Sequence, residues 1–516
     1  MIRTKKIIKY TILTAGTVGA VGAITSFKSN QYNVDSIGII RFGRASFTAL
    51  TIVTYYKTSL YKYGEKMDHK SPEYIQLRSK THKKAAEKLL ELCQANRGVY
   101  IKVGQHIGAL DYILPIEYVE TMKVLHSRAP ASTIEEVKQV FKEDLNKNPE
   151  DVFENIDPMP LGAASLAQVH KAKLKDGRTI ALKVQHPTVK GNSLVDLKTM
   201  EMLAKIVSWI LPEFKIQWLV DETKRNIPKE LDFQIEADNT EKVKMMFRHM
   251  SWLKIPDIYR EMCSPRVLAM EFVEGGQVND MEYIKNHQIN PFEISDKLSK
   301  LYGEMIFKHG FVHSDPHPGN ILVRKMKNGS TEIILLDHGL YANLTDDFRY
   351  EYAQLWISIL NRDMRSMSVH CSALGVSDLF WLLSSMVTGR SWDAIRSGLN
   401  TTQFNNNEKD LVQREFPNLL SCISDVLSSV NRQMILIFKT NDLLRGIEHS
   451  LKTYSRMDSF SVITKNCVET VYTERKKQCV SRIEKLKVTC AEQWTLLKLN
   501  LYYNYLRFRS WFTTFV

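Results

Sequence analysis

Two short apolar runs, Ile321-Leu322-Val323 and Ile333-Ile334-Leu335-Leu336, flank a polar turn around Asn328-Gly329, a pattern that predicts a β-hairpin. Upstream, Ile180-Ala181-Leu182-Lys183 reads as a strand ending on a lysine. Between residues 187 and 229, Leu203, Ile206, Val207 and Ile210 recur at helical spacing. Glu230, Asp232 and Glu236 follow, three carboxylates expected on one helix. Six residues turn through about 600°, so Glu230 and Glu236 do not fully share a face. The chain is expected to be helical again by Asp346-Asp347-Phe348, and residues 351 to 470 show mostly helical periodicity. The polar run Asn405-Asn406-Asn407-Glu408 reads as an exposed loop within that helical region. There is no internal repeat.

With 516 residues and 44% hydrophobic content, the chain is long enough for a large core and a two-lobed domain with appendages. Seven cysteines, odd in number and without a Cys-x-x-Cys pair, point to reduced thiols and away from secretion. The net charge of +13 is concentrated toward the ends and comes with no nucleic-acid-binding motif, so no nucleic-acid partner is expected.

The ends have their own character. The first acidic residue is Asp35, preceded by Arg3, Lys5, Lys6 and Lys9 and by an apolar stretch from Thr11 to Phe27. A basic, acid-poor, apolar start means targeting or membrane, and about seventeen residues is the short limit for spanning about 30 Å of hydrocarbon. A secretory signal peptide is the rival reading, which the unpaired cysteines oppose; a mitochondrial address fits better. Residues 45–56 follow Arg41 and Arg44 and suit either a membrane surface or a core helix. In the tail, Trp494, Leu497, Leu501, Tyr505, Phe508, Trp511 and Phe512 alternate with Lys498, Arg507 and Arg509, as in an interfacial anchor or in a helix packed on its own domain.

The chemistry is concentrated in residues 311–339. Asp315 after a His, Asn320 five residues later, and Asp337 before a Gly form the polar skeleton of a phosphoryl-transfer site. In such sites the first Asp orients the attacking hydroxyl, and the Asn and second Asp hold magnesium against the nucleotide phosphates. Gly162-Ala163-Ala164-Ser165-Leu166-Ala167-Gln168-Val169 keeps the frame of a phosphate-covering loop with alanines in place of two glycines, and Lys183 follows fourteen residues after Val169. Alanine narrows the backbone freedom that glycine gives such a loop. His313, His317 and His338 lack the closed Cys/His spacing of a zinc site.

From about residue 70 to beyond 450 the chain resembles the UbiB family of atypical kinase-like proteins, in its mitochondrial aarF-domain-containing kinase branch. The most specific marks are Lys102-Val103-Gly104-Gln105, the alanine-rich loop, Glu230-x-Asp232, and His313-Ser314-Asp315-Pro316-His317-Pro318-Gly319-Asn320. The resemblance implies an α+β, bilobal protein-kinase-like fold with an N-terminal helical extension, a small-lobe insert and a helical large lobe. The expected segments are 1–34 for targeting or membrane, 35–150 for the extension, 151–275 for the small lobe, 276–470 for the large lobe and 471–516 for the basic aromatic tail.

It further implies that Lys183 and Glu236 pair, that Asp315 is the catalytic-loop Asp, and that Asn320 and Asp337 hold magnesium. The implied nucleotide-binding set is Gly162, Ala163, Ala164, Ser165, Ala167, Val169, Lys183, Glu236, Met270 and Phe272, taking ATP or ADP. Lys102 and Gln105 are implied to meet Glu230 and Asp232 and to fold over the place where a protein kinase seats its peptide. Nothing after Asp337-His338-Gly339 resembles Ala-Pro-Glu, which also disfavours protein substrates. His338 stands where kinases carry Phe. The expected function is that of an ATPase or a small-molecule or lipid kinase at the mitochondrial inner membrane, supporting lipid or coenzyme Q homeostasis. The alternative is a nucleotide-sensing scaffold that maintains cristae through inner-membrane protein partners without phosphoryl transfer.

Overall fold

The computed structural model describes residues 38–62, 64, 67–68, 71–108, 114–126, 131–211, 217–314, 317–397, 422–423, 426, 429–453 and 458–513. The chain forms two compact units. The first runs through Glu241 and takes back Pro256–Phe272; the second comprises Lys242–Ile255 and everything from Val273 onward. The helical extension and the sheet expected as a separate lobe therefore belong to one unit.

The first unit is built on an antiparallel sheet of β1 (Phe153–Ile156), β2 (Gly162–Ala163), β3 (Ala167–Leu174) and β4 (Thr179–Gln185), with β6 (Val267–Glu271) arriving after β5 (Leu253–Lys254) of the other unit. The order is β1-β3-β4-β6, with β2 paired to β3. One face of the sheet packs Ile180, Leu182, Val184, Val267 and Ala269 onto Val137, Val140 and Phe141 of the helix Ile134–Leu145. That helix starts on a capping box, Thr133 and Glu136 each bonding the other's backbone N–H.

Around the sheet lie helices Gly38–Tyr56, Pro72–Asn96, Val99–Gly108, Val189–Ile210 and Gln217–Glu230. The last two are the insert, helical as its periodicity predicts. Arg41 joins the first helix to the insert through a buried two-point contact with Asp196, Nε to Oδ1 at 2.9 Å and Nη2 to Oδ2 at 2.5 Å. Burial pushes the Asp196 carboxyl up against the opposing pull of Arg41. Within residues 45–56, Ala45, Val53 and Tyr56 are buried while Phe47 and Leu50 are exposed, so the helix packs on one side and bares apolar groups on the other.

In the second unit a four-stranded sheet has the order β5-β10-β9-β7, from β7 (Gly276–Gln277), β9 (Ile321–Lys325) and β10 (Thr331–Leu335), and a small ribbon pairs β8 (Phe311–His313) with β11 (Tyr341–Asn343). Helices Pro291–Gly303, Asp346–Asn361, Arg432–Leu451 and Asp458–Gln478 form its body. The polar run at 405–408 lies outside the described residues. In the tail helix Arg482–Thr513, Trp494, Leu497 and Leu501 are exposed whereas Glu492 is buried against Lys476, so this part of the apolar stripe faces solvent instead of packing on its own unit. Among the described residues no helix is long and apolar enough to cross a membrane, and the stretch 11–27 lies outside them.

Candidate functional site

In the first unit, Lys183 lies on β4, where its register partners are Val169 on β3 and Leu268 on β6. Its ammonium meets both oxygens of Glu236, at 2.7 and 2.8 Å. The Phe233 ring lies beneath the same nitrogen, 5.1 Å from its centroid. Glu236 is 2% exposed, so the pair is held out of bulk water.

Val169, Ala181, Met270 and Phe272 share an apolar cluster with Phe233 on that side of the sheet, Ala181 directly opposite Met270 in register. Such a surface suits the flat apolar face of a nucleobase. The Lys171 ammonium lies 4.6 Å from the centre of the Phe272 ring.

The alanine-rich loop is short and internally bonded. Gly162 pairs with Val169 and Ala163 with Gln168, and Ala164 N–H donates to the Ala167 carbonyl at 2.8 Å. Residues that the sequence reasoning passed over hold it there. His186 makes contacts to the Ala164 carbonyl at 3.0 Å and to the Ser132 hydroxyl at 2.9 Å, and burial lowers its pKa. Gln168 donates to the Ser132 carbonyl and to His170 Nε2, which leaves the proton of His170 on Nδ1, bonded to the Asp157 carbonyl. The signal available in the sequence was the polar Gln185-His186-Pro187 that ends an apolar strand.

The acidic segment is not one helix. Glu230 closes helix Gln217–Glu230, Leu231 lies between, and Asp232 accepts the Gln234 N–H at 3.0 Å at the start of helix Phe233–Met246. A short Asp side chain competes for backbone donors better outside a helix than within one, and here it opens the second helix. Gln185 fixes the break, its amide donating to the carbonyls of Leu231 and Pro265. Lys102 reaches Glu230 at 2.8 Å. Gln105 donates to the Leu125 carbonyl at 3.0 Å and accepts from Ser165 of the loop at 3.4 Å. The helix carrying both is packed too tightly for a larger residue at Gly104, where a Cβ would lie 2.3 Å from Leu125 Cδ1.

In the second unit, β9 and β10 form the hairpin expected around Asn328-Gly329, with Gly329 at φ +84°. A positive φ of this kind is what glycine tolerates without strain. Pairing Ile321 with Leu335 brings the residues just outside the strands together, and Leu336 N–H donates to the Asn320 carbonyl at 3.0 Å. A second clamp joins Ser314 N–H to the Leu340 carbonyl at 3.0 Å. Asp337 thus lies between two backbone clamps, its Oδ1 accepting the Gly339 N–H at 2.8 Å. Asp315 itself lies outside the described residues. The oxygen side chains of Asn320 and Asp337 suit a hard cation such as magnesium.

His338, in the Phe position, is fully buried; Nδ1 meets the Tyr341 hydroxyl at 2.9 Å and Nε2 the Leu335 carbonyl at 3.3 Å. Its ring lies parallel to Tyr341, within 2°, and 6.3 Å from that of His313. The position is therefore anchored by hydrogen bonds where a Phe would be held by packing alone. His317 Nδ1 accepts the Gly319 N–H at 3.1 Å and so shapes the turn before Asn320.

Residues 124–371 match the ABC1 atypical kinase-like domain. Over 507 residues the chain is 51% identical to AarF domain-containing kinase 1 of Drosophila melanogaster, covering 97% of this chain and 96% of that one. It is 47% identical over 485 residues to AarF domain-containing protein kinase 1 of Mus musculus, covering 94% and 92%. The chain belongs to the UbiB family, in its ABC1/AarF branch. Its α+β kinase-like fold follows from that membership, and the Lys183–Glu236 pair and the Asn320–Asp337 hairpin end both lie within the matched residues 124–371.

Proposed function

We propose that this ABC1/AarF protein binds ATP or ADP with magnesium and turns the nucleotide over as an ATPase or a small-molecule or lipid kinase. The observation that carries the reading is the Lys183–Glu236 contact at 2.7 Å, a charge held ready for phosphate on β4, the strand paired with the one that leaves the alanine-rich loop. In support, Asn320 and Asp337 converge on one end of a hairpin. In this reading Lys183 binds the α- and β-phosphates, Glu236 orients Lys183, and Asp315 aligns the acceptor hydroxyl. Magnesium held by Asn320 and Asp337 supplies charge neutralisation of the phosphates.

The basic, acid-poor start and the apolar stretch 11–27 support a mitochondrial address and attachment to the inner membrane, with a role in lipid or coenzyme Q homeostasis. The exposed Trp494, Leu497 and Leu501 beside Lys498 supply a second surface suited to anionic lipid. A second reading has the nucleotide sensed without transfer, the protein acting through inner-membrane partners on cristae. The largely shielded Lys102–Glu230 contact favours it, because it fixes a helix of the extension to the insert.

Nucleotide turnover by purified full-length protein, with and without liposomes of anionic lipid, separates the two. Turnover that vanishes in Asp315→Asn supports the enzyme. Tight Mg-nucleotide binding with equal, negligible turnover in both proteins supports the sensor. Absence of nucleotide binding removes both.

A further inference from the structure

An apolar cavity of about 230 Å³, partly open on one side, lies among the helices of the first unit, away from the loop and Lys183. Six helices wall it: Gly38–Tyr56, Pro72–Asn96, Val99–Gly108, Ile116–Met122, Val189–Ile210 and Gln217–Glu230. Protein interiors hold few voids larger than a water molecule, because an empty space forfeits the dispersion contacts of its lining. An apolar cavity of about 150 Å³ already stays dry and accepts benzene. This one is larger, and Thr223, one of its hydroxyl-bearing linings, spends its Oγ1 on the Leu219 carbonyl at 2.7 Å. Water would find few partners there.

Small residues keep the space open. Ala45 and Ala49, one turn apart, face it from the first helix and Ala204 faces it from the insert. Leu or Ile at any of them would project into it and take up part of the space.

The walls are also the elements that carry the Lys102 contact. Tyr100, Val103 and Ile107 line the cavity from one side of helix Val99–Gly108, and Lys102 and Gln105 project from the other. Leu219, Val220 and Thr223 line it from the helix that ends in Glu230. Both partners of the Lys102–Glu230 ion pair therefore sit on helices that also line the cavity.

We propose that this cavity receives a single hydrocarbon tail, fatty acyl or isoprenoid, and that filling it stiffens the Lys102 helix against Glu230. The tail would be what the protein senses or acts upon at a membrane, which deepens the lipid reading above and rests on it; occupancy itself requires no nucleotide.

The test uses full-length protein and cis-parinaric acid as a fluorescent probe, without nucleotide. We expect saturable binding of one probe per chain, displaced by palmitate if the site is for acyl tails and by geranylgeraniol if it is for isoprenoid tails. Ala49→Phe and Ala204→Phe, each placing a ring in the cavity, weaken binding at least tenfold with circular dichroism unchanged. Should either ring variant unfold, Ala45→Leu fills the same space with a smaller group and carries the same expectation. Amide exchange across residues 99–108 slows on binding in the parent and not in the filled variants. Binding equally strong in all variants, or no saturable binding of either tail, overturns the proposal. A separate titration with Mg-ADP reports on the nucleotide reading, so failure of one is not mistaken for failure of the other.

Discussion

Glu236 receives the Lys183 ammonium on both of its carboxylate oxygens, and the Phe233 ring, one turn earlier on the same helix, closes over the nitrogen. Charge-assisted, two-point contacts of this kind fix a side chain as well as neutralise it. Removing one partner leaves the other charge buried alone, a loss of about 3–5 kcal/mol for fully buried pairs. Lys183→Met is therefore expected to lower the unfolding midpoint and to abolish stabilisation by Mg-ATP. Glu236→Gln, which keeps a hydrogen-bond acceptor, is expected to fold better and to bind nucleotide at least tenfold more weakly. Calorimetric titration of both variants checks the order.

Asp337 and Asn320 are joined through the Leu336 to Asn320 backbone bond, so their side chains share one hairpin end. A carboxylate contributes much of the affinity of a magnesium site that keeps its other waters. A ligand at about 100 times its Kd stabilises the folded state by about 2.7 kcal/mol. Asp337→Asn is expected to lose the magnesium-dependent part of that gain, read as a thermal shift with ATP in the presence and absence of the metal. An unchanged shift would remove Asp337 from the site.

Much of the fold and site is legible in the sequence because the polar motifs have rigid local causes. The hairpin follows from two apolar runs around Asn328-Gly329, and the insert helices from the spacing of Leu203, Ile206, Val207 and Ile210. The break at Leu231-Asp232 is not legible, since its cause is Gln185, a residue 46 positions earlier that binds the Leu231 carbonyl. The buried Arg41–Asp196 pair, 155 positions apart, is likewise invisible to periodicity. The cavity is hidden for a related reason: Ala45, Ala49 and Ala204 read as ordinary helix formers until six helices are assembled around them.

His82 supplies a pH dependence. Its Nδ1 takes the Tyr56 hydroxyl at 2.6 Å, and burial lowers its pKa to about 4, with Glu117 pulling the other way. A histidine depressed in the folded state stabilises it above the unfolded value of about 6.5, and that contribution is lost as pH falls toward 4. The full loss is on the order of 3 kcal/mol by the free energy of one pKa unit. Urea midpoints at pH 7.5 and 5.0 should therefore differ less for His82→Phe than for the parent. An identical difference in both would show that His82 titrates as it does when unfolded.

The Lys102 helix is held from two directions, by Glu230 at 2.8 Å and by the close approach of Leu125 to Gly104. Gly104→Ala gains helix propensity of about 1 kcal/mol but forces a Cβ into a buried leucine, and overpacking a core costs about 1–3 kcal/mol. The net expectation is a lower denaturation midpoint, restored in part by Leu125→Ala. Lys102→Ala acts differently, because it leaves Gly104 packed and removes one charge of a largely shielded pair; a charge-assisted hydrogen bond of this kind contributes about 1.5–3 kcal/mol when kept from water. If the extension excludes peptide substrates, loosening it exposes the chain to its own chemistry. Lys102→Ala should then acquire autophosphorylation that the parent lacks, with Lys183 and Glu236 still binding nucleotide. Mass spectrometry after incubation with ATP and magnesium decides the matter. Robust phosphorylation of added peptides by the parent, with no gain in the variant, would return this chain to the ordinary protein kinases.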